Sequence, residues 1–366
     1  MSLVINRDKL TLFIHKSFSR IIKKDYNILK KYYPLRAFQY NPGRILSLNL
    51  LCIVIVLFNQ IKMFIWLLRN ICQAKYIYIC GADYYALMPV LFAKVFKKKS
   101  IIRVGGYDAA SIPQIKSGVF YKKYKALAAK ISYTNADLII PVDESLINSI
   151  NYYNNKDGLS NGIKYFVKDL KTKIIVINNG YDAQKWCKKE NIKREKTVLS
   201  IGSIKDEKTF KRKGFDLLIE IAKKMNGVKF ILLGLQNDMY QLAKKNSTDN
   251  IELHHFIPHD ELINYYSKAK VFCQLSLFEG FPNTLCEAML CECIPVGSDV
   301  NGIPGAIGDC GFILKEKNAD KAVKLIEKAL NSSESLGKQA RQRIKENFTL
   351  ERRENKIIHL IEEMYE

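Results

Sequence analysis

Two carboxylates, Glu279 and Glu287, stand eight positions apart in residues 276–296, SLFEGFPNTLCEAMLCECIPV. The apolar run before them reads as a strand, Glu279 to Asn283 as a loop, and the residues from Thr284 as a helix. Thr284 and Glu287 have the spacing of a capping box, which predicts a helix opening at Thr284. Backbone N–H groups at such an opening favour an anion. Taken singly, Glu287 reads as a cap and Glu279 as a solvated acid. A cationic pair, Arg212 and Lys213, precedes Gly214 between the strand SIGSI and the amphipathic helix FDLLIEIAKK. On its own, KDEKTFKRK reads as a solvated lysine-rich loop. In IIRVGGYDAA, Gly105 and Gly106 permit close backbone approach to a ligand. Tyr107 and Asp108 are expected to face a cleft there, Asp108 as a candidate catalytic residue with a turn-forming role as the alternative.

These residues need a scaffold that gathers loops following strands. Short β-rich runs alternate with helical patterns along the chain, the signal for parallel sheets with crossover helices. Strands are expected over 11–15, 35–40, 76–80, 100–104, 138–142 and 174–177, and then over 197–201, 229–233, 251–254, 271–274, 294–297 and 311–314. The pattern lapses over 178–196, which places a boundary between a first domain, 1–180, and a second, 181–366. The last helix, about 351–366, is expected to pack back on the first domain. Two doubly wound α/β domains facing across a cleft result, with chemistry in the loops after the strands.

The chain has 366 residues, 48% of them apolar and 26% charged, which excludes disorder and small disulfide scaffolds. Of the +22 net charge, +17 lies in residues 1–170, pointing to a polyanionic partner: nucleic acid, an acidic membrane surface or a phosphorylated substrate. Nine cysteines occur without paired CxxC spacing, so neither a zinc site nor a disulfide framework is expected, and a reducing, cytosolic setting is. The first apolar stretch, TLFIH, is too short for a signal peptide. Residues 45–68 form the membrane candidate, interrupted by Asn59, Gln60 and Lys62. Strands on both sides must share one sheet, so the segment is expected to be a core helix or to lie flat on a membrane rather than cross it, with Arg44, Lys62 and Arg69 toward lipid phosphates.

Taken together, the strand, the Glu-Gly-Phe-Pro loop, the capped helix with its second Glu and the following IPV strand resemble retaining glycosyltransferases of family four, which have the GT-B fold. The resemblance implies that Glu279 meets sugar hydroxyls of a nucleotide-sugar donor and Glu287 its ribose. It places the diphosphate on the backbone amides of Asn283, Thr284 and Leu285, beside Gly280 and Phe281. Arg212 and Lys213 would clamp that diphosphate; physically, two fixed cations stabilise the charge that develops as the glycosidic bond breaks. The segment HHFIPHDEL resembles the stretch whose backbone borders the nucleobase, at Phe256 and Ile257. The family often carries an Arg where this chain has Ser203, and a His near the donor sugar where Asp108 is the nearest polar group. His254 and His255 are adjacent on a strand, so packing or a single base contact is expected rather than a shared metal.

The expected function is transfer of a sugar, with retention, from a UDP- or GDP-sugar to a glycan or lipid-linked acceptor in surface polysaccharide synthesis. No cofactor or metal is expected, since no two Asp residues are separated by a single residue. The expected place is the cytoplasm, peripheral on the inner face of the cell membrane, with the basic first domain toward anionic lipid and no nucleic-acid partner. Rivals are a GT-B-type nucleotide-sugar epimerase, a phosphorylase, or a basic nucleic-acid-binding protein.

Overall fold

Segments such as LTLFIH and KFILLGL bury nearly every residue in succession, the pattern of parallel strands covered on both faces. The computed structural model describes residues 10–41 and 50–364; Arg44 and residues 45–49 of the apolar segment lie outside them. The described residues form two six-stranded parallel sheets. The first contains β1 (Leu10–His15), β2 (Leu35–Gln39), β3 (Ala74–Cys80), β4 (Lys99–Val104) and β5 (Leu138–Pro141), with β6 (Ser149–Asn151) and β7 (Leu159–Asn161) as a separate antiparallel pair and β8 (Lys173–Ile174) closing the sheet in the order β2-β1-β3-β4-β5-β8. In the second, β9 (Glu195–Ile204), β10 (Lys229–Leu235), β11 (Ile251–His254), β12 (Ala269–Gln274), β13 (Ile294–Ser298) and β14 (Phe312–Leu314) take the order β11-β10-β9-β12-β13-β14. Both are the doubly wound arrangement expected from the alternating pattern.

Each order reverses once, between β1 and β3 and between β9 and β12, and loops after these strands diverge to opposite faces of the sheet. Crevices for ligands open at such switch points.

Two local expectations needed correction. The strand expected over 174–177 ends as a regular element at Ile174, although Ile175 and Ile177 still donate to Ile139 and Pro141 oxygens at 3.0 Å. The hairpin β6–β7 was not foreseen, because its Asn- and Gly-rich sequence reads as loop. It bridges the domains: Asn151 Nδ2 donates to the Leu277 oxygen at 3.0 Å, and the Tyr153 oxygen accepts from the Lys317 amide at 2.7 Å.

The first domain begins with helices α1 (Arg20–Tyr32), α2 (Leu50–Asn70), α3 (Leu87–Val95) and α4 (Lys123–Asn135). The final helix, Leu350–Glu363, leaves the second domain and lies on the first, where Ile357, Ile358 and Ile361 join Phe13, Ile28 and Tyr78 in one apolar cluster. A buried charge cluster pins it there. Arg353 donates through Nε and an Nη to the two oxygens of Asp25 at 2.8 and 2.7 Å, and Tyr78 OH donates to the same carboxylate at 3.0 Å.

Candidate functional site

The site begins at the switch point of the second sheet. After β9, the Asp206 side chain accepts from the Thr209 amide at 2.8 Å and caps a short helix, Glu207–Arg212. Arg212 is thus the last residue of a helix and Lys213 its cap, not two residues of an open loop as expected. Gly214 follows at φ +73°, and a Cβ there would fall 2.1 Å from the Leu275 oxygen. Only glycine permits this approach. It seats Lys213 against the loop after β12, where the Leu277 amide also donates to the Arg212 oxygen at 2.8 Å.

The result is a cluster in which Lys213 Nζ lies 2.6 Å from Glu279 Oε2. The same oxygen is 3.3 Å from both Gln274 Nε2 and Ser276 Oγ. Burial favours the protonated acid, but the Lys213 and Arg212 charges outweigh it and hold Glu279 below the usual carboxylate range. Burial pulls Lys213 down, further than the Glu279 charge lifts it. Among the described residues the Arg212 guanidinium has no hydrogen-bond or ion-pair partner, and it borders two cavities, of about 470 and 200 Å³.

The larger cavity lies between the domains, with Gly105, Gly106 and Tyr107 on one side and Lys205, Lys208, Arg212, Glu279 and Gly280 on the other. At its floor the two domains touch glycine to glycine: a Cβ on Gly280 would sit 1.9 Å from the Gly105 oxygen, and one on Gly106 3.0 Å from Gly280 Cα. Tyr107 faces this space, but Asp108 does not. The Asp108 carboxylate is buried and turned onto its own loop, where Oδ1 accepts from the Gly105 and Gly106 amides at 3.0 and 2.9 Å. The turn-forming alternative describes it, because two amides of the tight Gly-Gly turn need an acceptor.

The smaller cavity is bordered by Arg20, Gly202, Ser203, Arg212, Lys213, Phe256, Ile257 and Thr284. Phe256 is 66% exposed, an open aromatic face at its rim. The adjoining helix spans Asn283–Leu290, one residue earlier than expected, and the capping box does not form. Pro282, at the cap position, has no acceptor side chain. Thr284 Oγ1 instead donates to Gln274 Oε1 at 3.1 Å, and Asn283 Oδ1 accepts from Asn179 Nδ2 and Tyr181 OH at 3.1 and 2.8 Å. The amides of Asn283, Thr284 and Leu285 occupy the first turn, where no intrahelical acceptor exists. Phe281 and Leu285 side chains are buried, Phe281 beside Tyr181 and Phe348, so these two contribute backbone only.

Glu287 faces inward from that helix. Its Oε1 is 3.0 Å from His259 Nε2, and Oε2 accepts from Tyr266 OH at 3.2 Å. Burial pushes Glu287 up to about 7, against the charges of Arg20 and Lys24. His254 and His255 do point apart, His254 Nε2 to Glu252 at 2.5 Å and His255 Nδ1 to the Leu235 oxygen at 3.1 Å. Arg20, Lys205 and Lys208 escaped the sequence reading. Arg20 opens a basic helix of the other domain, and the two lysines sit in a run that reads as solvated; their signal was their place just after the first strand of a doubly wound sheet.

Residues 182–349 match the family described as Glycosyl transferases group 1. The match lies in the second half of the chain. Among curated relatives, a Campylobacter jejuni protein named N-acetylgalactosamine-N,N'-diacetylbacillosaminyl-diphospho-undecaprenol 4-alpha-N-acetylgalactosaminyltransferase is 27% identical over 67% of this chain and 63% of its own. A subunit of the Arabidopsis thaliana phosphatidylinositol N-acetylglucosaminyltransferase is 26% identical over 43% of this chain and 37% of its own. The chain therefore spans less than two thirds of the length of these relatives. Among solved structures, a sucrose-phosphate synthase of Thermosynechococcus elongatus superposes with a TM-score of 0.75 at 14% identity, covering 98% of this chain and 99% of its own. The Anabaena protein HepE, solved with UDP and glucose, gives 0.69 at 14% identity over 97% of this chain and 100% of its own. The two-sheet architecture is thus GT-B. Within the matched residues lie Arg212, Lys213, Glu279 and Glu287, all on segments bordering the β9–β12 switch point.

Proposed function

We propose that the protein transfers a sugar from a nucleotide-diphosphate sugar to a hydroxyl of a glycan or lipid-linked acceptor, with retention, in the synthesis of a surface polysaccharide. The observation that carries this reading is the uncommitted Arg212 guanidinium beside the Lys213–Glu279 pair, at the meeting of two cavities. A diphosphate is the anion that such a site fits. It would span Arg212, Lys213 and the first-turn amides of Asn283, Thr284 and Leu285, with the nucleoside in the smaller cavity and the sugar in the larger one, against Glu279 and Gly280.

In this reading the bond from the anomeric carbon to the β-phosphate oxygen breaks, and negative charge grows on that oxygen as it leaves. Arg212 and Lys213 stabilise this charge, worth about 3 kcal/mol per preorganised donor. The acceptor hydroxyl approaches the same face, forms the new bond to carbon, and gives its proton to the departing phosphate oxygen. No protein base is required. Glu279 holds Lys213 in place and accepts hydrogen bonds from hydroxyls of the sugar. The group 1 domain and the transferase names of both curated relatives support the class, and the relative named for a diphospho-undecaprenol substrate supports a lipid-linked acceptor. The proposed place of the reaction is the cytoplasmic face of the cell membrane.

A thermal-shift panel of UDP-, GDP- and ADP-sugars identifies the donor: a ligand specific to the folded state adds about 2.7 kcal/mol at a hundredfold excess over its dissociation constant. Proton NMR of the purified product then reads the anomeric configuration. An inverted centre would remove the same-face mechanism, and rapid epimerisation of donor without acceptor would remove transfer itself.

A further inference from the structure

Helix α2 is inside out for a helix of a water-facing domain. Its sheet-facing side buries Met63 and Leu67 and carries two of its amides: Asn70 accepts from Arg36 at 2.6 Å, and Gln60 Nε2 reaches Tyr40 OH at 3.4 Å. Its outward side presents Ile53, Leu57, Ile61, Phe64 and Leu68, each more than 40% exposed, at helical spacing over roughly 22 Å. The patch continues onto α3, where the Phe92 ring meets Phe64 at 5.4 Å and Val95 is 76% exposed. A contiguous apolar face of this extent marks an interaction surface.

Charge selects its occupant. From residue 26 to 136 the chain has 17 Lys and Arg and two acids, Asp83 and Asp108, both buried. Exposed Lys62, Arg69, Lys94 and Lys97 lie on or beside α2 and α3 with no exposed carboxylate on these elements. A second copy of the chain would set cations against cations, whereas an anionic bilayer complements both the apolar stripe and its basic surround.

We propose that the outer face of α2, continued by Leu91 and Val95 of α3, docks the first domain flat on an anionic lipid bilayer. Within the described residues, Ile53–Asn70 is long and apolar enough to cross a membrane. The topology forbids it: β1 and β2 before the helix pair in register with each other, and β1 pairs with β3 after it, so both helix ends belong to one sheet. Packed side chains also link the helix to the larger cavity. From Gln60 a chain of contacts runs through Tyr40 and Tyr84 to Lys125, whose Nζ lies 5.7 Å from the Tyr107 ring at that cavity.

Vesicle flotation of the full chain tests this without any sugar transfer, so its failure and that of the proposed activity are separable. Vesicles roughly one third phosphatidylglycerol should carry the protein at low salt, and pure phosphatidylcholine should not. Raising the salt should release it. Lys62→Ala should weaken binding about fivefold, the equivalent of ~1 kcal/mol for one cation at such a surface. Leu57→Glu with Ile61→Glu should abolish it while the thermal transition and nucleotide-induced shift persist. Equal flotation on neutral and anionic vesicles, or a dimer that the double variant dissociates without any flotation, would overturn the proposal.

Discussion

Asp25 and Glu279, one buried and the other partly buried, are carboxylates that each face two cations, and the difference lies in what those cations have left to bind. Asp25 is fully buried; it accepts from Arg353 and Tyr78 and pairs with Arg103 Nε at 3.1 Å, while the remaining Arg353 donors go to the Ile177 and Asn178 oxygens at 2.7 and 2.9 Å. Its charges are spent inside the protein. At Glu279 only Lys213 is committed, and Arg212 opens onto both cavities. The same charge types therefore close one cluster into a joint between the final helix and the first domain, and leave the other with a cation that faces open space. A surplus cation in a partly buried cleft is costly unless an anion arrives, which is the physical ground for proposing the second cluster as the binding site.

The closed cluster should show the largest effect. Removing Asp25 leaves two buried guanidinium groups without their carboxylate, so Asp25→Ala should cost about 3–5 kcal/mol in urea unfolding. Turnover per folded molecule, measured below the transition, should stay near wild type. A loss of turnover with unchanged stability would mean that the two clusters have been assigned the wrong way round.

Next comes the open cluster, with the opposite signature. Arg212→Ala should reduce turnover by roughly two orders of magnitude, as expected for one preorganised charge-stabilising donor. Its melting temperature should hardly move, because among the described residues the guanidinium has no hydrogen-bond or ion-pair partner to lose, and its attraction to Glu279 is opposed by repulsion from Lys213. Lys213→Ala should lose as much turnover and also melt earlier, since it removes the ion-pair partner of the largely enclosed Glu279. Near-normal turnover in the double variant would dismiss the clamp.

Glu287 sharpens the contrast through pH. With its carboxyl at about 7 against an ordinary 4.5, the folded state binds more protons than the unfolded one between those values. Its contribution to stability is therefore complete below about 4.5 and is lost as pH rises toward 7. Nucleotide binding should run the other way if the carboxylate accepts from ribose hydroxyls, strengthening up to about fivefold from pH 6 to pH 7 as the ionised fraction rises. Calorimetric titration with the preferred nucleotide at both values checks this, and Glu287→Gln should flatten both trends. A wild-type affinity independent of pH would take Glu287 out of the donor site.

The alternation of apolar runs was enough to read both sheets, because strands buried on two faces leave a continuous hydrophobic signature. Arg212, Lys213 and Glu279 were legible as a group since all follow strands at one switch point. Side-chain partners were not. The Thr284–Glu287 spacing suggested a cap, but sequence spacing cannot show that Tyr266 and His259 compete for Glu287, or that Gln274 holds Thr284. Arg20 was invisible for a related reason, since it reaches the site from the other domain. The hairpin β6–β7 lacked the apolar alternation on which strand recognition rests, and its Asn151 is held by a partner in the second domain, the Leu277 oxygen.

Asp108 gives the smallest effect and the finest distinction. It sits beside the cavity, as a catalytic acid would, yet its carboxylate is occupied by the Gly105 and Gly106 amides. Burial raises it above the ordinary Asp range, against those same amide bonds. Asn keeps an acceptor oxygen in the same place and forms the same kind of turn. Asp108→Asn should therefore cost about 1 kcal/mol of stability, the difference between a charged and a neutral acceptor, and leave kcat nearly unchanged. Asp108→Ala, which frees both amides, should loosen the Gly105–Gly106 loop against Gly280 and raise KM more than it lowers kcat. A large fall in kcat for the Asn variant, with KM and melting temperature preserved, would instead make this carboxylate a participant in proton transfer, and the buried charges of the first domain could no longer be treated as purely architectural.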